Sequence, residues 1–386
     1  MRKVLAFILA AISMVGVAQG VPGVTEDKIL IGSFQALSGP VAPIGLDMTR
    51  GMQTYFRWIN DLGGVWGRKI ELLVENDQFN PALTVALVKK LVETDGVFAI
   101  VGGLGTPGCL AVMDYLNSNG VPFVYQGSGS SKLAFPPKEW VFAVQPNYTV
   151  EGQIIAKYAV EELGAKRIAV IYQNDDIGNE GLTGVKMYLE KVGLKPVAEV
   201  AFTPGQVGFS AEVLKLMAAN PEVVVIYAIL APTVGILVEA KAAGLNTQFI
   251  TSYINADLSL VQLAGEAAEG LLLTGWVPVL DLTDYDMFLY YSVFRYYNPD
   301  YPGIPSGYVA AGWIAAEVFT GALLKAGPEL TRESLKTALE SMRNWDGLLA
   351  KGITYGPDER AGKMSMYFFR IQSGTFIPVT GWIFLP

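Results

Sequence analysis

The chain has 386 residues, 51% of them hydrophobic, and its 28 basic and 36 acidic side chains give a formal net charge of −8. An acidic surface argues against nucleic acid as a partner, because binding to phosphates requires clustered cations. The chain contains no histidine and one cysteine, Cys109, which excludes histidine-based triads, Cys-His dyads, His-ligated zinc and internal disulfides. We predict that Cys109 is a small buried hydrophobe.

The first 20 residues have the pattern of an export signal. Arg2 and Lys3 precede an uncharged apolar run at 4–18, and small residues near position 18 allow cleavage just beyond it. The run is shorter than the roughly 20 residues that a spanning helix needs. We therefore expect residues 1–20 to be a cleaved signal peptide and the mature protein to be exported and soluble. Loss of the two basic residues would change the net charge to 26 − 36 = −10.

The mature chain repeats one pattern, in which an amphipathic helix ends at a glycine turn and an apolar strand follows. Met48, Met52 and Tyr55 lie at helical spacing, and a Gly-Gly turn leads from this helix to the segment KIELLVEND. The next apolar segment, VFAIVGG, shows no alternation, which is typical of a strand covered on both faces. Such repetition of strand and helix predicts an α/β fold with a parallel sheet.

A second series of the same kind begins near Asn147, and no linker rich in serine, glycine or charge separates it from the first. The mature length of about 366 residues suits two domains. We therefore predict two doubly wound parallel-sheet lobes with a cleft between them. The first lobe should comprise residues 24–146 plus 276–360. The second should comprise 147–275 plus 361–386.

One late segment, residues 308–327, has the length of a membrane span. It contains Glu317 and Lys325 and is rich in alanine and glycine. We predict instead a long helix buried between a sheet and its neighbours. The next helix should begin at once, with Thr331 as its N-cap.

Candidate binding residues follow two consecutive strands of the first lobe. Thr106 begins a helix after the strand VFAIVGG, where backbone N–H groups can receive an anion. Gly127, Ser128 and Gly129 follow the next strand, and there the glycines admit a ligand close to the backbone while the hydroxyl donates or accepts. Together the two loops could hold a carboxylate or an amide. The alternative is that Thr106 and a serine only cap helices.

Four segments in order resemble the periplasmic type I solute-binding proteins of the branched-chain amino acid and amide class. They are SGPVAPIG at 38–45, INDLGGVWGRKIELLVEND at 59–77, the Val-Gly-Gly loop and helix at 101–114, and AEGLLLTG at 268–275. The resemblance covers almost the whole mature chain. It implies two α/β lobes, joined by three hinge strands, that close over one solute. The solute is then delivered to an ABC transporter permease, and no cofactor, metal or catalysis is involved.

The resemblance also implies which residues contact the solute. In the first lobe, Thr106 and the loop from Gly127 to Gly129 would hold its carboxylate or amide end. Ile44 is the other implied contact in the first lobe. The second lobe would contribute Ile177, Tyr253 and either Ile229 or Leu230. Trp276 would lie near the return hinge. Trp276 could form a flat apolar wall for the solute or only pack the hinge.

Three positions depart from the family pattern and bear on ligand chemistry. Amino acid binders of this class usually carry an acidic residue where Tyr253 stands, and often aromatic residues at Ile44 and Ile177. A buried ammonium needs a carboxylate partner, whereas tyrosine supplies a neutral hydroxyl. We therefore expect a solute with a polar or anionic head and no obligatory α-ammonium. If an ammonium does bind, Asp257 or Asp175 is its predicted partner, although Asp175 could instead cap the following helix.

Two other classes of protein remain open at this point. A histidine-free enzyme could use carboxylates, and the candidates are Asp175, Asp176, Asp257 and Glu180. The resemblance carries no catalytic set, so a receptor is the better interpretation. A ligand-sensing protein of the same fold could report solute levels to a regulator. Export argues against a cytoplasmic regulator, and a neighbouring permease gene would separate transport from sensing.

Overall fold

A computed structural model of the chain describes residues 20–278 and 280–385. Apart from Gly20, the predicted signal peptide lies outside these residues. The first part of the chain alternates strands and helices. In order, they are β1 (Lys28–Gln35), α1 (Ala42–Asp61), β2 (Lys69–Asn76), α2 (Pro81–Lys89), β3 (Ile100–Leu104), α3 (Thr106–Ser118), β4 (Phe123–Gly127) and β5 (Val141–Phe142). The five strands form one parallel sheet in the order β2-β1-β3-β4-β5.

The second series repeats this arrangement. Its elements are α4 (Tyr148–Glu161), β6 (Ile168–Gln173), α5 (Asp176–Lys191), β7 (Ala198–Phe202), α6 (Ser210–Ala219), β8 (Val223–Tyr227), α7 (Leu230–Ala242), β9 (Gln248–Thr251), α8 (Leu258–Ala264) and β10 (Leu272–Gly275). These strands are parallel in the order β7-β6-β8-β9-β10. In each series the second strand lies on one side of the first, and the later strands follow on the other side. This order is the one that the predicted doubly wound lobes require.

The second sheet also contains three antiparallel strands, which the last part of the chain adds to the five parallel ones. They are β11 (Ser365–Gln372), β12 (Thr375–Pro378) and β13 (Ile383–Phe384). β11 pairs antiparallel with β10, β12 and β13. The two-residue turn Ser373-Gly374 has φ values of 50° and 73°. Positive φ at both central residues suits the tight hairpin that joins β11 to β12.

Between β10 and β11 the chain returns to the first sheet and forms α9 (Tyr285–Tyr297), α10 (Gly307–Ala326) and α11 (Arg332–Glu340). Among the described residues, α10 is the one helix whose length and hydropathy match a membrane span, and 78% of its most apolar window is buried inside the protein. It packs closely on α1, because a Cβ atom at Gly312 would lie 2.0 Å from the Met48 carbonyl oxygen. Thr331 caps α11 as predicted, in a reciprocal pair of hydrogen bonds with Ser334.

The chain passes between the two lobes three times: after β5, after β10 and before β11. The first and third passes are bonded to each other. The Gly362 N–H donates to the Ala143 carbonyl at 2.7 Å, and the Ala143 N–H donates to the Arg360 carbonyl at 3.0 Å. Cys109 is fully buried in the first lobe, as predicted.

Candidate functional site

The carboxyl ends of β3 and β4 bring two predicted residues of the first lobe into contact. Thr106 is the first residue of α3, and its Oγ1 lies 2.7 Å from the Oγ of Ser128. Both side chains are 2% exposed. No side chain caps the start of α3, whose N-cap residue is Gly105. The capping alternative for Thr106 is therefore wrong. Its hydroxyl contacts that of Ser128, beyond the end of the adjacent strand, instead.

Glycine is required at position 129 because two tyrosines lie directly against it. A Cβ atom at Gly129 would be 2.2 Å from the Tyr253 Oη and 2.5 Å from the Tyr148 Cε1. Gly127, the last residue of β4, accepts a hydrogen bond from the Gly105 N–H at 3.0 Å. The loop thus has glycines at two positions where neighbouring groups closely approach its backbone.

Tyr253 follows β9, and its hydroxyl is held in place at the first pass between the lobes. The Tyr253 Oη donates to the Pro146 carbonyl at 2.9 Å and accepts from the Gln145 Nε2 at 3.0 Å. Its ring stacks on Tyr148 with 6.2 Å between centroids, and the Tyr148 Oη is 3.5 Å from the Thr106 Oγ1. Burial raises the pKa of both phenols above the usual value of 10. Both are therefore neutral hydrogen-bonding groups at physiological pH.

Trp276 follows β10 and is 6% exposed. Its ring lies 6.2 Å from that of Tyr125 and 6.4 Å, edge to face, from that of Tyr253. It therefore packs at the second pass between the lobes and borders the tyrosines as well.

The remaining predicted apolar residues can be placed by the cluster they join. Ile177, on α5, is buried in the same cluster as Tyr253 and Trp276, and Ile44 packs against it. Ile229 also packs against this cluster, whereas Leu230 packs against a separate one. The two residues therefore pack in different apolar clusters.

The predicted ammonium partners already accept hydrogen bonds from their own helices. Asp257 is the N-cap of α8 and accepts from the backbone N–H of Ser259 at 2.9 Å and from its Oγ at 2.6 Å. Asp175 is the N-cap of α5 and accepts from the Gly178 N–H at 3.1 Å. The capping interpretation of Asp175 is thus confirmed. Neither carboxylate is bonded to the tyrosines or to Ser128 in the described part of the chain.

Glu151, a fully buried carboxylate on α4, was not among the residues predicted from the sequence. It accepts hydrogen bonds from the Tyr253 N–H and the Ser252 Oγ, both at 2.8 Å, and from the hydroxyls of Tyr227 and Thr274. Burial raises the pKa of this carboxyl, and the four donors oppose that effect. No ion pair with Glu151 occurs within the described ranges. The carboxylate therefore joins the ends of β8, β9 and β10 behind Tyr253.

A signal for these missed residues was present in the sequence. Tyr148, Glu151 and Ile155 are spaced three and four residues apart, and all are buried on one face of α4. An acidic residue at such a spacing, in an otherwise apolar stripe, indicates a buried carboxylate with dedicated donors.

Comparisons with known proteins agree with this architecture. The profile of the periplasmic binding protein family matches residues 28–375. A Leu/Ile/Val-binding protein of Citrobacter freundii is 32% identical over 240 residues, which are 62% of this chain and 65% of that relative. The match therefore spans slightly less than two thirds of the relative.

Solved structures show the same fold at low sequence identity. A branched chain amino acid ABC transporter protein from Thermus thermophilus, with bound valine, superposes with a TM-score of 0.83 at 20% identity, over 94% of this chain and 98% of that one. A fatty acid ABC transporter substrate-binding protein from Thermomonospora curvata superposes with a TM-score of 0.83 at 22% identity, over 95% of both chains. Given two doubly wound lobes and a family match across most of its length, the chain belongs to the periplasmic binding protein family, a family of solute-binding receptors rather than enzymes.

Proposed function

We propose that this chain is the extracytoplasmic solute-binding receptor of an ABC uptake transporter. In this proposal residues 1–20 are a signal peptide that directs export, and the protein is soluble after their cleavage. It binds a small amino-acid-like, amide or carboxylate solute between its lobes and delivers it to the permease. Family membership and relatives named as leucine-, isoleucine- and valine-binding proteins support this. The moving bodies are residues 24–146 with 276–360, and residues 147–275 with 361–386.

One observation carries the proposal: the hydroxyls of Thr106 and Ser128 meet 2.7 Å apart at the ends of adjacent parallel strands. Ligands of such sheets bind at this edge. In the proposed complex, these hydroxyls and the backbone at Gly127 and Gly129 bind the polar end of the solute. The apolar part of the solute contacts a surface made by Ile44, Ile177, Ile229, Tyr253 and Trp276.

The head of the solute is proposed to be anionic or an amide, without a required α-ammonium. Tyr253 presents a neutral phenol whose proton is directed at the Pro146 carbonyl. The nearby Asp257 carboxylate already accepts two hydrogen bonds from Ser259. An ammonium beside Tyr253 would meet a hydroxyl bonded to Gln145 and to the Pro146 carbonyl rather than to a carboxylate, and burial of an unpaired charge is strongly unfavourable. The head of a carboxylic or keto acid would instead accept hydrogen bonds from Thr106, Ser128 and the backbone of the first lobe, and an amide carries no charge.

A thermal-shift panel tests the head group by pairing each amino acid with its deaminated analogue. A ligand that binds only the folded protein raises its melting temperature. We expect stabilisation by a keto acid, carboxylic acid or amide. If free leucine stabilises the protein and its keto acid does not, the proposed head chemistry is wrong and Asp257 becomes the ammonium partner. The proposal of a solute receptor would then still stand.

Calorimetry with the stabilising solute tests the two hydroxyls. A hydrogen bond to a charged group contributes about 1.5 to 3 kcal/mol, so Thr106→Val and Ser128→Ala should each weaken binding by roughly tenfold or more. Thr183→Val is the matched control, because this exposed hydroxyl bonds only to the Asn179 carbonyl of its own helix. Unchanged affinity in both site variants would contradict the assignment.

A further inference from the structure

Glu180, on α5 of the second lobe, accepts two hydrogen bonds from the loop that follows β4 in the first lobe. The Ser130 Oγ donates to one carboxylate oxygen at 2.6 Å, and the Ser131 N–H donates to the other at 2.5 Å. We propose that Glu180 is a positioning residue that couples solute contact in the first lobe to closure of the second. This inference rests on the proposed function.

The loop has an inner and an outer part, and a hydrogen bond joins them. Ser128, in the inner part, faces Thr106. Ser130 and Ser131, in the outer part, face Glu180. The Ser130 N–H donates to the Ser128 Oγ at 3.1 Å, so the position of Ser128 constrains the residues that hold Glu180. A solute bonded to Ser128 therefore orders the same turn that binds the opposite lobe.

Glu180 contributes more to this connection than the ion pair beside it. Lys132 and Asp176 lie 2.7 Å apart, but their side chains are 55% and 45% exposed. Exposed pairs of this kind contribute little, because water and salt screen them. Glu180 is half-buried, and both of its oxygens accept charge-assisted hydrogen bonds, which are stronger. Asp176 and Glu180 are four residues apart on α5, so one helix face meets the loop.

A second contact between the lobes lies on a different loop. The Tyr308 Oη at the start of α10 donates to the Ile254 carbonyl, which follows β9, at 2.8 Å. This bond involves a backbone acceptor and no residue of the loop after β4. The proposed solute loop reaches α5 through Glu180 and, at a more exposed position, through Asp176.

The test uses the full mature chain without added solute, so it does not depend on knowing the ligand. Hydrogen exchange reports the amide of Ser131, and small-angle scattering reports the radius of gyration. In Glu180→Gln an amide group replaces one acceptor, and the Ser131 amide should exchange about tenfold faster, because a hydrogen bond to a charged group is lost. The radius of gyration should increase. Glu190→Gln, an exposed change on the same helix, should match the wild type in both.

Ser130→Ala removes one of the two hydrogen bonds and should have a smaller effect in the same direction. Unfolding temperatures of all variants are measured alongside. A residue that only stabilised its own helix would lower the unfolding temperature when replaced and leave the radius of gyration unchanged. The proposal is overturned if Glu180→Gln and the wild type have equal exchange at Ser131 and equal radii. Failure of the Thr106 and Ser128 variants to weaken binding would instead remove the proposed solute contacts, so the two failures are distinguishable.

Discussion

Gly129 shows how a missing side chain shapes the proposed cleft. Its α-carbon faces Tyr253 and Tyr148 at distances that leave no room for a methyl group. Gly129→Ala must therefore displace both rings, and overpacking of this kind costs about 1 to 3 kcal/mol. We expect a loss of solute binding together with this decrease in stability. Gly381→Ala is the control, since nothing lies within 4 Å of its added methyl. Equal affinity of the two variants would argue against a cleft at this loop.

Glu151 accepts four hydrogen bonds in the interior of the second lobe. Glu151→Gln replaces a carboxylate oxygen with an amide group that cannot accept from all four donors. Leaving buried donors unsatisfied costs about 1 to 3 kcal/mol. We expect the free energy of unfolding in urea to fall by that amount, whereas Glu162→Gln, at an exposed site just after α4, should leave it unchanged. A stable Glu151→Gln variant would mean that these hydrogen bonds contribute little.

The sequence predicted residues that follow strands, and the family resemblance added Tyr253, but neither indicated which partners these residues meet across the lobes. Thr106 and Ser128 could be found because consecutive parallel strands end at one edge, which the chain order reveals. The contact between Gln145 and Tyr253 joins residues 108 positions apart. Such a contact depends on how the lobes are oriented, and hydrophobic periodicity carries no information about that.

At the scale of elements, the pairing of α1 with α10 depends on two glycines. A Cβ atom at Gly51 would lie 2.0 Å from the Val309 carbonyl oxygen, and one at Gly312 would lie equally close to that of Met48. Alanine gains about 1 kcal/mol of helix propensity over glycine. The clash with backbone atoms, which cannot move aside as a side chain can, should exceed this gain. We expect Gly312→Ala to lower the unfolding free energy in calorimetric melts. A melting temperature equal to or above that of the wild type would show that the two helices separate easily.

Strand direction was the part of the fold that the sequence left out. The segment SMYFFRIQ of β11 is continuously apolar at its centre, like the parallel strands β3 and β8. Hydrophobic pattern reports burial on two faces, and it does not report which way a strand runs. The direction of β11 follows from the return of the chain through α9 to α11.

At the scale of the whole molecule, Lys363 links pH to stability. It lies in the third pass between the lobes, donates to the Lys351 carbonyl at 2.8 Å and stands 4.0 Å from the centroid of the Trp382 ring. Burial lowers its pKa from 10.5 to about 8, and Asp346 opposes this shift. Between these two values the unfolded chain binds a proton that the folded chain does not. Stability from this group should therefore rise with pH from about 8 to 10.5.

Urea unfolding at pH 7 and pH 9.5 measures this linkage by comparison between variants. Tyrosines that begin to ionise in the unfolded chain oppose it, and they do so equally in every variant. We expect Lys363 to add stability to the wild type over the interval. Lys363→Met should lose that gain, and Lys195→Met, at an exposed position, should keep it. An equal gain in wild type and Lys363→Met would assign the pH dependence to other groups.

Solute binding should also change the shape of the molecule, because a ligand held between the lobes stabilises their closed arrangement. The radius of gyration is expected to fall when the stabilising solute of the thermal-shift panel saturates the protein. An unchanged radius at saturation would contradict hinge closure. Thr106→Val at the same solute concentration provides a comparison with reduced occupancy.

The single cysteine of the chain has a practical consequence. Cys109 is fully buried, its Sγ lies 3.4 Å from the Gly103 carbonyl oxygen, and burial raises the pKa of the thiol. Little thiolate forms at neutral pH, so maleimide dyes should leave this residue unmodified. Two cysteines introduced at exposed positions, one in each lobe, could then be labelled without first replacing Cys109. Energy transfer between the two dyes would turn the wild-type scaffold into an optical reporter of its own solute.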